Sequence, residues 1–319
     1  MPISSQTKIV IFFALLTIGL GSITWGQTYS FRSVDVPGSA ITDVNAINSA
    51  GAMVGVYNPT NLDFTNPTGY ALTHGNFRSV NFPGSTGTYA DGINKRQEIV
   101  GVYIDPSGNE HGFLLKGGHY SSIDFPGAVQ TTALMLNDAG TIVGGYDDGT
   151  RSHGFILQGG NYTTTDFPGA AGSFANSINN LGEIVGEYSL TDPHVGTNIQ
   201  GYYELNGDFN TVNFPGAQDT EAGGLNSSGS IVGDYVDGSG VYHGFTLVGG
   251  NYATVDFPGA PDTRAYTIND SNQIVGFYTV ADSSADVHGF LATPLAGPSH
   301  DASRAPKFGT GRKGTRTTR

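Results

Sequence analysis

Three short motifs recur six times each, always in the same order. The first is Asp/Asn-Phe/Val-Pro-Gly, with its prolines at Pro37, Pro83, Pro126, Pro168, Pro215 and Pro258, spaced by 46, 43, 42, 47 and 43 residues. The second runs from a fixed Asn into Ile/Met-Val-Gly-x-Tyr, as in "SINNLGEIVGEY" and "TINDSNQIVGFY". The third is His-Gly-Phe or Gly-Tyr, as in "HGFLL" and "QGYYEL". A period of this length marks a chain built from stacked copies of one supersecondary unit. Each copy holds four short apolar or β-branched stretches, here labelled A to D. A and B are joined by Asn-x-x-Gly, and C and D by a Gly-rich turn, as antiparallel hairpins require. Six such units predict an all-β chain, a six-bladed β-propeller of four-stranded antiparallel blades. The ends point to closure. A lone D stretch, "YSFRSVDVPG" at 29–38, comes first, and the last copy stops at its C stretch, "HGFLA" at 288–292. The N-terminal strand is therefore expected to complete the last blade and close the ring, which leaves no open sheet edge.

The propeller is expected to span 27–296. Before it, residues 1–26 read as a secretory signal peptide: Lys8, the apolar run "IVIFFALLTIGL", then small and polar residues, with Thr24 and Gly26 at −3 and −1 of a cut before Gln27. The apolar run is short for a membrane span, which needs about 20 residues. A secreted, periplasmic or extracellular location follows, with no membrane span after cleavage. The chain has no Cys, so neither disulfides nor a lipidated N-terminal Cys can occur. Residues 297–319 read as a basic disordered tail holding six of the 14 basic residues. The propeller itself has 26 acids against seven basic residues, a net of −19. That balance argues against nucleic acid as a partner.

The stretch "INDSNQIVG" followed by "HGF" resembles bacterial extracellular repeat proteins of the HAF family, which carry an "IN..GqivG" stretch followed by "HAFlw". The likeness covers almost all of 40–292, with Gly in place of the family's Ala. It implies a secreted repeat protein and supplies no activity.

Most repeated residues read as scaffold. The Asp column is Asp35, Asn81, Asp124, Asp166, Asn213 and Asp256. Asn replaces Asp twice, so the position is expected to accept backbone hydrogen bonds at a strand end, followed by a type II turn with Pro at i+1 and Gly at i+2. The Phe should lie between blades. In the Asn column (Asn48, Asn94, Asn137, Asn179, Asn226, Asn269) the residue three positions on is Gly, Gln or Asn, which reads as a left-handed turn position. His111, His153, His243 and His288 share one place on strand C, two strands out from the axis. They are expected to bridge blade backbones rather than share a metal. No catalytic motif, cofactor loop or metal-ligand pattern is present; the G-x-G-x-x-G at Gly309 lies in the tail, outside any strand-turn-helix context. No catalytic residue, cofactor or metal is assigned.

Function is sought where the copies diverge. The D–A and B–C loops should share one face of the ring. The B–C loops carry insertions at 58–67, 189–199 and 279–287, and the insertion of blade 4 includes His194. Blades 1 and 4 both replace His-Gly-Phe with Gly-Tyr, as if a three-blade half had been duplicated. Five residues before the fixed Asn stand Asp43, Tyr89, Thr132, Phe174, Glu221 and Arg264; three before it stand Asn45, Asp91, Leu134, Asn176, Gly223 and Tyr266. The ligand-binding candidates are Asp43, Tyr89, Asp91, Phe174, Asn176, His194, Glu221, Arg264 and Tyr266. Carboxylates, aromatics and one Arg suit a carbohydrate surface; a salt bridge between Arg264 and Glu221 is an equal reading. Two functions follow. One is a secreted, non-enzymatic binding or scaffold propeller for a polysaccharide or surface protein. The other is an extracellular polysaccharide lyase or hydrolase using Asp43, Asp91 or Glu221.

Overall fold

A computed structural model describes residues 27–60, 64, 66–280 and 283–295, with the side chains of 283–285 left aside. The signal-like segment 1–26 and the tail 297–319 lie outside the described residues. Six four-stranded antiparallel sheets follow one another around a ring. Blade 1 runs from strand A (Ile41–Ile47) through B (Met53–Asn58) and C (Thr68–Thr73) to D (Asn76–Val80). Blade 6 takes A (Thr263–Ile268), B (Ile274–Val280) and C (Ser283–Pro294) from the end of the chain. Its D strand is Tyr29–Val34, which pairs antiparallel with C from Tyr29↔Pro294 to Val34↔Gly289. The protein is a six-bladed β-propeller closed by its N-terminal strand. Among the described residues no helix is long and apolar enough to cross a membrane.

Every A strand carries a β-bulge, and the extra residue is Asn45, Asp91, Leu134, Asn176, Gly223 or Tyr266. A bulge leaves one residue unpaired and re-aims its side chain. The Gly of each "IVG" makes this geometry affordable: a Cβ on Gly55, Gly101 or any of their four equivalents would fall on the carbonyl oxygen five residues before the fixed Asn. The Gly of His-Gly-Phe acts between blades. A Cβ on Gly112 would meet the Ile123 carbonyl at 2.9 Å and Ala133 of the next blade at 3.1 Å. Beside it, Phe113, Phe155, Phe245 and Phe290 are fully buried, each contributing roughly 2–3 kcal/mol of apolar burial. Blades 1 and 4 place Tyr70 and Tyr202 there, also buried, and Tyr70 donates its hydroxyl to the Asp43 carbonyl at 3.0 Å.

The Pro-Gly turns form as expected. The i+3 amide returns to the i carbonyl, as from Ala170 to Phe167 at 3.0 Å, with Gly169 at φ 82°. The Phe ring lies between blades, stacked face to face on the Tyr of the following blade's B strand. Phe82 meets Tyr103 at 3.7 Å, and Phe125 meets Tyr146 at 3.6 Å. Gln97 and Asn272 take the left-handed conformation at φ 61° and 57°, as the turn reading requires.

The fixed Asn does more than shape a turn. Its Oδ1 accepts amides two and four residues on, as Asn137 does from Ala139 and Thr141. Its Nδ2 donates to the main-chain carbonyl of the next blade's Asn. The series runs Asn48 to Asn94 (2.9 Å), Asn94 to Asn137 (3.3 Å), Asn137 to Asn179 (3.2 Å), Asn179 to Asn226 (3.1 Å), Asn226 to Asn269 (3.2 Å) and Asn269 back to Asn48 (3.0 Å). A closed ring of six amides thus ties all the blades together at one end of the channel. Turn chemistry, the sequence expectation, accounts for the amides that Oδ1 accepts and leaves out the donation across blades.

Candidate functional site: the channel mouth

At the other end, the start of the A strands surrounds a cavity of about 480 Å3. The bulges explain what lines it. All six bulge residues line it, and Asp43, Tyr89, Glu221 and Arg264 stand two positions before the bulges of blades 1, 2, 5 and 6. Phe64, from the B–C insertion of blade 1, also lines the cavity, and Tyr89 donates its hydroxyl to the Phe64 carbonyl at 3.2 Å. Seven of the nine candidates are therefore brought together: Asp43, Tyr89, Asp91, Asn176, Glu221, Arg264 and Tyr266. Phe174 lies instead against Gly145 of the preceding blade, where no Cβ would fit. His194 also stands apart from the cavity. It is exposed, with Nδ1 3.0 Å from Asp147 Oδ2 of blade 3, and its loop leans on that blade through the Ser152 amide, which donates to the Pro193 carbonyl at 2.8 Å.

Amides and acids pair across blades around the wall. Asn45 Nδ2 donates to Asp91 Oδ1 at 2.7 Å, and Asn176 Nδ2 to Glu221 Oε1 at 3.4 Å. These pairs join blades 1–2 and 4–5, in keeping with a duplicated three-blade half. Arg264 does not form the expected salt bridge with Glu221. Its guanidinium lies 3.6 Å over the Tyr242 ring and 5.9 Å from the Phe277 ring. Stacking holds it in place at a distance from the acids.

Sequence reasoning missed two further acids. Glu187 and Asp234 sit on B strands, directly across from Phe174 and Glu221 in register. Asp234 lies within strand B (Ile231–Val236) and is buried. The signal was present in the variable x of "IVGxY", which reads Val56, Val102, Gly145, Glu187, Asp234 and Phe277.

Burial dominates the electrostatics. It pushes the carboxyls of Asp43 and Asp91 up to about 7; Arg264 opposes the rise at Asp43, and the Asn45 hydrogen bond opposes it at Asp91. Burial, then repulsion from Glu221, holds Asp234 well above the usual carboxylate range, and Glu187 is raised by burial, Glu221 and Asp234. Glu221 is raised by burial against the pull of Arg264. Arg264 loses by burial and gains more from Asp234, Tyr266 and Glu221, so its charge is secure. The mouth thus combines carboxyls able to donate or accept, two amides, one fixed cation and aromatic faces. Among the described residues no group of three His, Asp or Glu side chains is placed to hold a metal ion.

The four strand-C histidines correct the sequence reading. They do not bridge blade backbones. Each Nδ1 faces the Asp that ends strand D of the same blade: His111 to Asp124 and His153 to Asp166 at 2.7 Å, His243 to Asp256 at 2.8 Å, and His288 to Asp35 at 3.1 Å. Each Nε2 faces a second carboxylate at 3.2–3.5 Å, in the B–C turn for His111, His153 and His243 and at Asp286 of strand C for His288. Burial opposes charge on His111 and His243, but the flanking carboxylates outweigh it and raise both. Where Asn replaces Asp, the partner is no longer His: Asn213 Nδ2 donates to Gln200 Oε1 at 3.3 Å, and blade 1 sets Thr68 in the His column and Asn81 in the Asp column.

No protein-family model matches the chain, and no curated protein sequence is significantly similar to it. Among solved structures, the fold is similar to that of the SapL1 lectin in complex with α-methyl fucoside. That likeness has a TM-score of 0.52 at 12% identity and covers 82% of this chain and 98% of the lectin. TolB from Acinetobacter baumannii also matches, with a TM-score of 0.52 at 13% identity, over 77% of this chain and 64% of TolB. The chain thus spans under two thirds of TolB's length. At these identities the likeness establishes the propeller fold.

Proposed function

We propose that this protein is a secreted, non-enzymatic binding propeller whose glycan ligand enters the channel-mouth cavity. The observation that carries the reading is the cavity itself: about 480 Å3, walled by Asn45, Asn176, Asp91 and Glu221 beside the rings of Tyr89 and Tyr266. Small-ligand sites have this volume and this mixture of apolar wall and convergent polar groups. The SapL1 lectin, similar in fold, was solved with α-methyl fucoside, which makes a glycan the first ligand class to test. The signal-like residues 1–26 and the resemblance to HAF repeat proteins support the extracellular part of the reading. The test is a glycan array probed with the full chain, together with a screen of bound glycans for new reducing ends or unsaturated products. Binding without turnover, weakened by Asp91→Asn or Glu221→Gln, is the expected outcome. Turnover that disappears in those variants would replace the reading with catalysis.

A second reading has its own support. Asp43 and Asp91 titrate near 7 because they are buried, which suits a general acid in glycoside hydrolysis or a lyase. The same screen decides between the two.

A further inference from the structure

The mouth gathers five carboxyls around one cation. Asp43, Asp91 and Glu221 line the cavity, and Glu187 and Asp234 stand behind it, against the single guanidinium of Arg264. Arg264 is already committed, stacked over Tyr242 and drawn toward Asp234 and Glu221. Two of these acids keep a buried oxygen with no hydrogen-bond partner among the described residues, Asp43 Oδ1 and Asp234 Oδ1, and of the two only Asp43 lines the cavity. Asp91 has Asn45 as its amide donor. Asp43 is only 6% exposed. An unpaired buried acceptor is costly unless something meets it. Tyr89, Tyr266 and Phe277 line the same cavity, and ring faces attract organic cations.

From this juxtaposition we propose that the cavity selects a ligand carrying a primary ammonium group, seated between Asp43 and Asp91, on a small hydroxyl-bearing body of amino-sugar size. The inference rests on the binding reading above and names the ligand's chemistry. The ammonium supplies a donor to the unmet Asp43 Oδ1 and a positive charge to the wall of blades 1 and 2. The polar body meets Tyr266 beside Asp43 and Asn176 across the mouth. A free polyamine carries the same ammonium without the sugar, so the test must separate the two.

Binding would depend on pH with a defined sign. The cation pairs with ionised carboxylates. Arg264, Tyr266 and Asp91 face Asp43, and Asn45, Tyr89 and Glu110 surround Asp91. Both acids titrate near 7 in the free protein, so lowering the pH discharges them and weakens the ligand.

The experiment is calorimetric titration of the full chain with glucosamine, N-acetylglucosamine, glucose and cadaverine at pH 7 and pH 5. Glucosamine is expected to bind at least about tenfold more tightly than the two neutral sugars at pH 7, and to lose most of that preference at pH 5. Asp43→Asn and Asp91→Asn should each abolish the preference. Both replace a carboxyl by an isosteric neutral amide, and a melting curve verifies that each variant folds. Asp124→Asn, outside the cavity, should leave the preference intact. Cadaverine binding as tightly as glucosamine supports ammonium recognition and assigns the source to a polyamine. Equal binding of glucosamine and the neutral sugars overturns the inference and leaves the glycan reading standing. Binding of none of the four overturns it as well, and the glycan array then judges the broader reading separately.

Discussion

The two ends of the channel are built from the same six strands and treat their six positions in opposite ways. At the floor, six copies of one Asn make six copies of one bond, and the space enclosed is about 80 Å3. At the mouth, the six bulge positions carry five residue types, and the space is about 480 Å3. Met135 and Thr267 line both cavities, so the two ends are only one layer apart. The difference teaches how a repeat protein divides its labour. Where every blade must meet its neighbour in the same way, symmetry fixes one residue. Where a pocket must be asymmetric to recognise something, the repeat is released. The bulge lets one strand do both, because its extra residue turns toward the axis without disturbing the paired ones.

Four outcomes would break or sharpen this contrast. The largest concerns what both ends presuppose, a closed ring. Deleting 27–38 removes the D strand of blade 6 and bares the edge of its C strand, so the cooperative melt should be lost; a truncation that melts as the parent does would refute closure as the source of stability. Next is the floor. Asn137→Ala deletes one inter-blade donation and two accepted amides at a buried site and should cost about 2–4 kcal/mol by chemical denaturation, with ligand binding at the mouth unaltered.

The mouth should answer oppositely. A carboxyl whose folded pKa is raised holds extra protons in the folded state. Its contribution to stability is full below about pH 4 and is lost as the pH rises through about 7. Asp91→Asn removes that loss, so the variant should gain on the parent between pH 4 and pH 8, on the order of 4 kcal/mol. Melting curves across that range are the measurement; a variant that tracks the parent at every pH would deny the buried-acid account.

The smallest effect tests the His–Asp pairs, which repeat without being universal. Changing His243→Gln and Asp256→Asn together gives blade 5 the pairing of blade 4. The double variant should recover about 0.5–1 kcal/mol of what His243→Gln alone loses, since the pair is partly exposed. With its pKa raised, the His243 contribution is present below about 6.5 and fades as the pH climbs through the raised value, so the single variant should cost more at pH 6 than at pH 9.

The blade count, the strand order, the Pro-Gly turns and the closing strand were legible because each depends on local chemistry at a fixed period. Pro168–Gly169 is a turn wherever it occurs. The Asn ring was not legible as a ring, because a donation from Asn48 to the Asn94 carbonyl is a fact of blade placement rather than of local sequence. The mouth was legible in part: variation among copies pointed to Asp91 and Glu221, while Glu187 and Asp234 stayed hidden because they stand on strand B, beside strand A in register. The matching exchange of Asp for Asn and of His for Thr or Gln is visible in the sequence, once columns C and D are compared within a blade. Read singly, the Asp column shows only the backbone acceptor, as at Asp166 and Asn213, and hides the pairing with His.

The central claim is that the floor holds the ring and the mouth does the binding. One paired titration tests it: the affinity of the full chain for its best glycan-array ligand, measured alongside the melting temperature, for Asp91→Asn and for Asn137→Ala. The account predicts that Asp91→Asn loses affinity while keeping its melting temperature at pH 7 or raising it, and that Asn137→Ala melts earlier while binding as the parent does below its transition. Affinity unchanged in Asp91→Asn, or lost in a folded Asn137→Ala, would contradict it.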